Sequence, residues 1–308
     1  MSIISNTYSN KPDLPLVSVV VLNYNGRQFI VDCIESVLKD SYGPKEILLV
    51  DNASSDGSLL TAYDYQDRIT IIKNDENYGF PKGCNQGIAL ARGEIIVLLN
   101  IDTIVQPGWL GALVQPLLDD PTIGITGSKL LFFDGKTVQF AGGEFEPNGL
   151  THHRGYGELD EGQHDQPKDV TYITGASMAL RTELLQRLNG LDEGFPLYFE
   201  DLDVCMCAHK LGYRSHYVPA SVVYHYETFG TKKQSLKYFY KYHRGRIRLI
   251  LKNFGVSYFV RTFLPAEWNW FWRCDFHRQA LPLFFAYSTQ LPKAPYLWSL
   301  GFLRRRFF

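Results

Sequence analysis

Residues 16–26 read LVSVVVLNYNG, an apolar and β-branched run followed by a polar turn. Three later segments have the same apolar character, namely EILLVD at 46–51, ITIIK at 69–73 and EIIVLLN at 94–100. Continuous apolar runs of this length, without polar alternation, are typical of strands buried on both faces of a parallel sheet. The pattern therefore predicts four buried parallel strands.

Between these strands, apolar residues recur at helical spacing in three segments, 29–38, 59–63 and 88–91. Strand and helix therefore alternate about every 25 residues. Such alternation predicts an α/β fold with a mostly parallel central sheet and helices on both faces. In open sheets of this class the ligand lies beyond the carboxyl ends of the strands.

The remainder of the chain changes character twice. After residue 124 the strand-like pieces are short, and residues 142–169, rich in Gly, His and acidic side chains, are predicted as a mobile loop. Beyond residue 232 the apolar spacing is helical. We predict a tail at 1–15, an α/β domain at 16–230 with halves at 16–125 and 126–230, and a helical C-terminal region at 231–308.

Composition limits the class of protein. With 45% hydrophobic and 20% charged residues among 308, the chain is not of a disordered, collagen-like or coiled-coil type. Its five cysteines, odd in number and without a CxxC pair, predict reduced thiols rather than a disulfide scaffold. Neither a signal peptide nor a run of about 18 apolar residues is found, so a cytoplasmic location is predicted.

Charged and aromatic residues are distributed unevenly. Residues 1–230 hold 16 Lys and Arg against 30 Asp and Glu, whereas residues 231–308 hold 15 against 2, which gives net charges of −14 and +13. The second part also holds 21 of the 44 aromatic residues. A basic aromatic segment predicts peripheral binding to an anionic membrane surface, with single-stranded nucleic acid the less favoured partner and a solvated basic helix the structural alternative.

Polar residues follow three of the predicted strands, at 23–26, 51–57 and 100–103. For any one of them, turn chemistry or helix capping is a sufficient explanation. Three in register on successive strands favour a ligand-binding edge. No GxGxxG or GxxxxGK[ST] is present, but residues 77–85 open a helix with two glycines and Lys82. This segment is either a phosphate-binding turn or an ordinary glycine-bearing one.

Taken together, these motifs resemble the family 2 glycosyltransferases, enzymes with the GT-A fold that use nucleotide sugars. The resemblance covers residues 16 to about 250 and is nearest to the subgroup that adds rhamnose or related sugars to bacterial surface polysaccharides. It depends on these sequences, in this order: VSVVVLNYNG, VDNASSDGS, NxGFxxGxNxG, LLNIDT, TGASMALR, LDEGFPLYFEDLDVC with the following LGY, and His225 with the later YKYHRGR.

The resemblance implies a donor site and a metal site. Asp102 stands at the second acidic position of the family's DxD motif, and Asn100 replaces the first, which should weaken the binding of Mg²⁺ or Mn²⁺. His225 lies where related galactofuranosyl enzymes supply a metal ligand, although a structural histidine is the alternative. The implied donor-binding residues are Asn23, Asn25, Asp51, Asn77, Lys82 and Asn100.

An acidic run at the start of a predicted helix completes the implied site. Carboxylates there are favourable to the helix dipole whatever their function. By family position Asp201 is the general base that takes a proton from the acceptor hydroxyl, with Gly175, Glu200 and Asp203 on the acceptor side, and the reaction inverts the anomeric carbon. Where relatives often carry Arg, this chain has Cys207, which puts any role of that Arg in doubt.

The resemblance therefore implies an inverting glycosyltransferase that moves a sugar, rhamnose or a related one, from a nucleotide-diphosphate donor to a lipid-linked or polysaccharide acceptor in cell-surface glycan synthesis. Nucleic acid is not expected as a partner. A catalytically silent membrane-surface scaffold remains open, because Asn100 and Cys207 depart from the family motifs. A nicotinamide-dependent oxidoreductase is disfavoured by the missing glycine fingerprint.

Overall fold

The computed structural model describes residues 14–195, 197–226, 235–273 and 276–306. This part of the chain contains twelve strands: β1 (Val17–Asn23), β2 (Lys45–Asp51), β3 (Thr70–Lys73), β4 (Ile95–Asn100), β5 (Thr103–Val105), β6 (Ile123–Phe132), β7 (Val138–Phe140), β8 (Gly143–Phe145), β9 (Thr151–His153), β10 (Lys168–Val170), β11 (Ser177–Arg181) and β12 (Arg214–His225).

Eleven α-helices are present in the same described ranges. They are α1 (Ile30–Lys39), α2 (Ser58–Tyr63), α3 (Phe80–Leu90), α4 (Trp109–Asp119), α5 (Thr182–Leu188), α6 (Glu200–Lys210), α7 (Leu236–Asn253), α8 (Val256–Tyr258), α9 (Leu264–Phe271), α10 (Phe276–Gln290) and α11 (Ala294–Arg306). A π-helical turn, Phe259–Phe263, joins α8 to α9.

One ten-stranded sheet organises the fold, in the order β10-β12-β6-β11-β4-β1-β2-β3, with β5 beside β12 and β7 beside β6. Strands β1 to β4 pair in parallel and are the four predicted strands, so the α/β prediction is confirmed. Strand β11 runs antiparallel between β4 and β6, which makes the second half of the sheet mixed. The main hydrophobic core lies between this sheet and the helices that cover it.

The prediction of a mobile loop at 142–169 is wrong. The segment forms the β8–β9 hairpin and the start of β10, and Asp160 and Asp165 in it both accept hydrogen bonds from buried Lys129. Strands of three residues are too short to give a readable alternation in a glycine-rich sequence, so the pattern concealed them.

Helix α7 belongs to the packed body of the protein. Leu249 on one side of the helix lies in the main core, whereas Ile247 and Leu251 lie in a second core with residues of α10 and α11. Its Arg246 forms a bidentate ion pair with Glu267 at 2.6 Å, and both side chains are buried. Helix α7 therefore joins the C-terminal helices to the sheet domain.

None of the helices within the described residues is long and apolar enough to cross a lipid bilayer.

Candidate active site

A cavity of about 1060 Å³ opens beyond the carboxyl ends of β1 and β4. Strand β1 contributes Leu22, and β4 contributes Asn100 with Ile101 and Asp102 directly after it. The opposite walls come from the start of α6 and from one face of α7. The cavity thus lies where parallel strands place ligands.

His225 and Asp102 face each other at the end of β12, with the imidazole Nε2 3.3 Å from a carboxylate oxygen. The other ring nitrogen, Nδ1, lies 2.6 Å from the amide oxygen of Gln139 on β7. With that oxygen as acceptor, Nδ1 carries the proton, so the Nε2 lone pair is directed toward Asp102 and Asn100. All these side chains line the cavity.

This pair fits a divalent cation. A histidine that ligates a metal usually donates its other N–H to a fixed acceptor, which Gln139 provides. Within the described ranges no three His, Cys, Asp or Glu side chains form a complete metal-binding cluster. Asp102 and His225 would therefore hold a cation only together with oxygens of a bound ligand, as Mg²⁺ commonly does with substrate phosphates.

The acidic run lies at the first turn of α6. Asp201 is half-buried in the cavity wall and accepts hydrogen bonds from the backbone N–H of Gly175, at 3.1 Å, and of Leu202, at 2.8 Å. Burial raises the pKa of Asp201 above its ordinary value, against the effect of these two donors. The carboxylate is thereby held in one orientation and made a stronger base.

Glu200 precedes Asp201 and is 6% exposed, and its Oε2 has no hydrogen-bond partner. Burial and the charge of Asp201 raise the pKa of Glu200 to about 8. At neutral pH the two adjacent carboxyl groups therefore differ, with Glu200 largely protonated and Asp201 the better candidate for an ionised base.

The backbone before this pair is strained. Tyr198 and Phe199 have φ values of 69° and 72°, in the left-handed region that residues with a Cβ rarely occupy. Gly245 of α7 packs so closely here that an added Cβ would lie 2.8 Å from the Phe199 ring. Tyr242 packs on Phe199 with ring centroids 5.0 Å apart. Helix α7 thus stabilises the turn that presents Glu200 and Asp201.

Seven of the residues chosen from the sequence line this one cavity: Asn77, Asn100, Asp102, Gly175, Glu200, Asp201 and His225. The other five do not: Asn23, Asn25, Asp51, Lys82 and Asp203. Of these five, Asn23, Asn25 and Asp51 hold the loops at the cavity edge in place from behind. Lys82 and Asp203 contact other parts of the protein.

Asn23 and Asp51 are fully buried at the ends of neighbouring strands, and the Asn23 amide donates to Asp51 at 2.7 Å. Asn25 has a φ of 55° and accepts from the backbone of Ser55. These bonds fix the loop after β1 against the loop after β2, so both residues shape the cavity edge from behind it.

Lys82 and Asp203 lie elsewhere. The Lys82 ammonium sits 3.7 Å from the centroid of the Tyr78 ring. The neighbouring Gly83 and Gly87 let α3 approach the sheet, since an added Cβ would lie 2.5 Å from Leu22 and Val20 respectively. Asp203 is buried under α7, where Lys252 and Asn253 donate hydrogen bonds to it.

Sequence reasoning missed the cavity residues contributed by α7 and β7. Gln139 stands in an ordinary short strand and has no sequence signal. Five residues of α7 line the cavity: Lys237, Tyr238, Phe239, Lys241 and Tyr242. Four of them stand at positions i, i+1, i+4 and i+5, a spacing that marks one helix face.

The family model described as glycosyl transferase family 2 matches residues 18–188. The chain belongs to this family. O-antigen biosynthesis protein RfbC of Myxococcus xanthus is 27% identical over 233 residues, which are 72% of this chain and 18% of that protein. The uncharacterised protein y4gI of Sinorhizobium fredii is 27% identical over 70% of this chain and 25% of its own length. The chain thus spans a quarter or less of these two curated relatives.

A shorter relative is matched over most of its length. N-acetylglucosaminyl-diphospho-decaprenol L-rhamnosyltransferase of Mycobacterium tuberculosis is 23% identical over 258 residues, which are 75% of this chain and 82% of that protein.

Three solved structures superpose on the chain. Staphylococcus aureus TarS 1–349 with UDP-GlcNAc has a TM-score of 0.61 at 17% identity, over 94% of this chain and 89% of that one. Mannosyltransferase PcManGT from Pyrobaculum calidifontis, in complex with GDP-Man and Mn²⁺, has a TM-score of 0.58 at 19% identity, over 91% and 75%. GalNAc-T7 with UDP, GalNAc and Mn²⁺ has a TM-score of 0.61 at 20% identity, over 79% and 48%. The fold is GT-A, as the sequence motifs predict.

Proposed function

We propose that this protein is an inverting glycosyltransferase that moves a sugar from a nucleotide-diphosphate donor to a hydroxyl of a lipid-linked or polysaccharide acceptor. The observation that carries the proposal is that the half-buried Asp201 and the Asp102–His225 pair face one cavity at the carboxyl ends of the strands. Family membership supports the same reaction class.

In this reaction Asp201 takes the proton of the acceptor hydroxyl as the oxygen attacks the anomeric carbon. One backbone N–H donates to each oxygen of its carboxylate, which holds the group in one orientation, and its raised pKa strengthens proton uptake. General-base catalysis of this kind contributes roughly 10²- to 10⁴-fold. Attack from the side opposite the leaving group inverts the anomeric carbon.

The donor diphosphate is proposed to lie beside Asp102 and His225, with Asn77 and Asn100 on the same wall. Asp102 and His225 would hold Mg²⁺ or Mn²⁺ there, and the cation supplies charge neutralisation of the departing diphosphate. Asn23, Asn25 and Asp51 keep the loops of this wall in place. Two of the superposed structures contain Mn²⁺, which supports a divalent cation in this role.

Rhamnose is the sugar we propose, because a mycobacterial relative matched over 75% of this chain and 82% of its own length is named as a rhamnosyltransferase. The name of that relative gives an N-acetylglucosaminyl-diphospho-decaprenol acceptor, which supports a lipid-linked acceptor here. Staphylococcus aureus TarS 1–349, in contrast, was solved with UDP-GlcNAc, so the donor panel must include several sugars.

Association with a membrane surface is proposed on the exposed side of α8, the π-helical turn and α9. Apolar side chains recur there every fourth residue, from 42% to 69% exposed: Val256, Val260, Leu264, Trp268 and Trp272. A stripe of this spacing on one helix face is typical of helices that lie in the interface of a bilayer.

The test is a melt of the full chain against nucleoside diphosphates and their sugars with Mn²⁺, followed by transfer assays with the donor that stabilises it. A ligand present at 100 times its dissociation constant adds about 2.7 kcal/mol to the free energy of unfolding. Stabilisation without turnover on any acceptor would favour the silent scaffold. No stabilisation by any nucleotide would remove the enzyme proposal.

A further inference from the structure

Lys237 and Lys241 line the cavity on the wall that carries the candidate base. They stand four residues apart on α7, interleaved with Tyr238 and Tyr242. The ring of Tyr238 packs on that of Tyr198, with centroids 5.6 Å apart. Tyr198 precedes Asp201 by three residues. Tyr242 packs on Phe199. The two lysines therefore belong to the Asp201 side of the cavity, across from the ends of the strands.

Neither ammonium group is neutralised within the described ranges of the chain, where no ion pair or hydrogen bond to a carboxylate is formed by either lysine. In contrast, Arg246, Arg248 and Lys252 on the same helix each have a carboxylate partner. Partial burial and the charge of Lys237 lower the pKa of Lys241.

The positions of these two lysines are electrostatically unfavourable when no anion is bound. Lys237 lies in the first turn of α7, where the helix dipole disfavours cations, and that turn contains no acidic residue. Two like charges at i and i+4 also repel each other. An anion between the two ammonium groups reverses both effects, because it neutralises the lysines and is favoured by the N-terminal end of the helix.

The adjoining helix α10 indicates which kind of chemical group is attached to the bound anion. Gln279 of α10 lines the cavity, and its amide oxygen accepts a hydrogen bond from Nε2 of His243 on α7 at 3.0 Å. The opposite side of α10 exposes Leu281, Phe284 and Phe285, the second of them 65% exposed. Exposed Leu and Phe side chains next to a basic segment are typical of helices that lie in the interface of a bilayer.

We propose that Lys237 and Lys241 bind the diphosphate of a lipid-diphosphate-linked acceptor, while the exposed apolar side of α10 contacts its lipid chain. This inference depends on the proposed function, since it assigns the acceptor of that reaction. It places two diphosphates at opposite walls of one cavity: the donor's beside Asp102 and His225, and the acceptor's beside the α7 lysines. The acceptor sugar then extends from the α7 lysines toward Asp201.

The experiment uses the full chain and two binding titrations. Farnesyl diphosphate is the probe for the lipid diphosphate, and UDP or GDP with Mn²⁺, whichever the parent binds, is the probe for the donor. In the variant K237Q/K241Q we expect farnesyl diphosphate affinity to fall at least tenfold and nucleotide affinity to stay within twofold. The matched control is K39Q/K136Q, which removes two exposed lysines that do not line the cavity. We expect it to change neither affinity.

Inorganic pyrophosphate distinguishes a lipid from a free anion. We expect it to bind at least tenfold more weakly than farnesyl diphosphate, and F284S/F285S to reduce only the farnesyl diphosphate affinity. Equal loss of nucleotide and farnesyl diphosphate in K237Q/K241Q would assign the lysines to the donor and overturn the inference. Unchanged farnesyl diphosphate binding would also overturn it, as would an equal loss in K39Q/K136Q or pyrophosphate binding as tight as that of the lipid. Failure of the proposed function itself would appear separately, as a parent that binds no nucleotide.

Discussion

Lys252 of α7 donates a hydrogen bond to Asp203 of α6, and both side chains are buried. Asp203 is two residues beyond the candidate base Asp201, so a cation from the C-terminal helices is fixed to the helix that presents the base. The same ammonium lies 2.6 Å from Asp192, which is also paired with Arg248. The basic C-terminal region thereby supports the helix that carries the candidate base, and carboxylates of the acidic domain neutralise some of its positive charge.

Replacing Lys252 by Met should lower the free energy of unfolding at pH 7 by about 3–5 kcal/mol, because the buried Asp203 loses its ion-pair partner and Asp192 keeps only Arg248. Urea unfolding measures this loss of free energy. The control K39M changes an exposed lysine, and its free energy of unfolding should stay within about 0.5 kcal/mol of the parent. A loss below about 1 kcal/mol would show that water or a rearranged side chain replaces the ammonium.

The pH dependence of stability in acid should report Asp192. Burial raises the pKa of this carboxyl, but the charges of Lys252 and Arg248 outweigh it and lower the pKa to about 2. A pKa below the unfolded value means that the stabilisation is present above about pH 4 and is lost as the pH falls toward 2. D192N should show a flatter pH profile of the unfolding free energy in that window. An unchanged profile would contradict the pairing.

Glu200 should contribute a pH dependence of stability opposite in sign to that of Asp192. Because its pKa is raised to about 8, the folded state favours the protonated form, and stability falls as the pH rises from about 4.5 through 8. E200Q should remove this fall, so its unfolding free energy should exceed that of the parent more at pH 8 than at pH 5. Denaturant unfolding at the two pH values checks this, and an equal difference at both would contradict a protonated Glu200.

Asp201→Asn should lower the rate of transfer by roughly 10²- to 10⁴-fold while donor affinity stays within a few-fold. The control D119N changes an exposed carboxylate on α4 and should keep the parent rate. Retention of a tenth of the parent rate in D201N would move the role of base to Glu200, since Asp203 is buried under α7.

Gln139→Leu should weaken Mn²⁺ binding by roughly 10- to 100-fold, because His225 loses the acceptor that fixes its ring. Electron paramagnetic resonance in the presence of a nucleoside diphosphate measures free Mn²⁺ directly, without activity. Gln139→Glu keeps an acceptor oxygen and should restore most of the affinity, which a merely structural role for Gln139 does not predict. Equal Mn²⁺ binding by all three proteins would show that Gln139 does not position His225 for the metal.

The full chain should sediment with anionic liposomes and be released only partly by salt, since salt screens Lys and Arg but not aromatic insertion. W268S/W272S should reduce sedimentation strongly. A matched control, L60S/Y63S, changes exposed apolar residues on α2 and should leave sedimentation unchanged. Equal binding to neutral vesicles would remove the electrostatic contribution, and a preference for single-stranded nucleic acid would exclude the membrane proposal.

Much of the cavity wall at the ends of the parallel strands was predictable from sequence. Asn100 and Asp102 follow an apolar strand, and the first four strands are continuous apolar runs, so their polar ends were expected at one edge of the sheet. The acidic run in the first turn of α6 was equally visible in the sequence. These features depend on residues close together in the chain, whose periodicity and order are sufficient to specify strands, helices and the edge where they end.

The tertiary structure alone decided which of these residues share the cavity. Asp203 and Asp201 are two positions apart, yet the turn of α6 directs one under α7 and the other into the cavity. Lys252 and Asp203 meet across 49 positions, and His225 meets Gln139 across 86. Such contacts depend on how helices and strands pack, because side-chain direction and burial at each position are set by neighbours distant in sequence. The sequence by itself therefore determined the α/β fold, the family and the rim of polar residues, whereas packing decided the base-side wall of α7 and the partners of each charge.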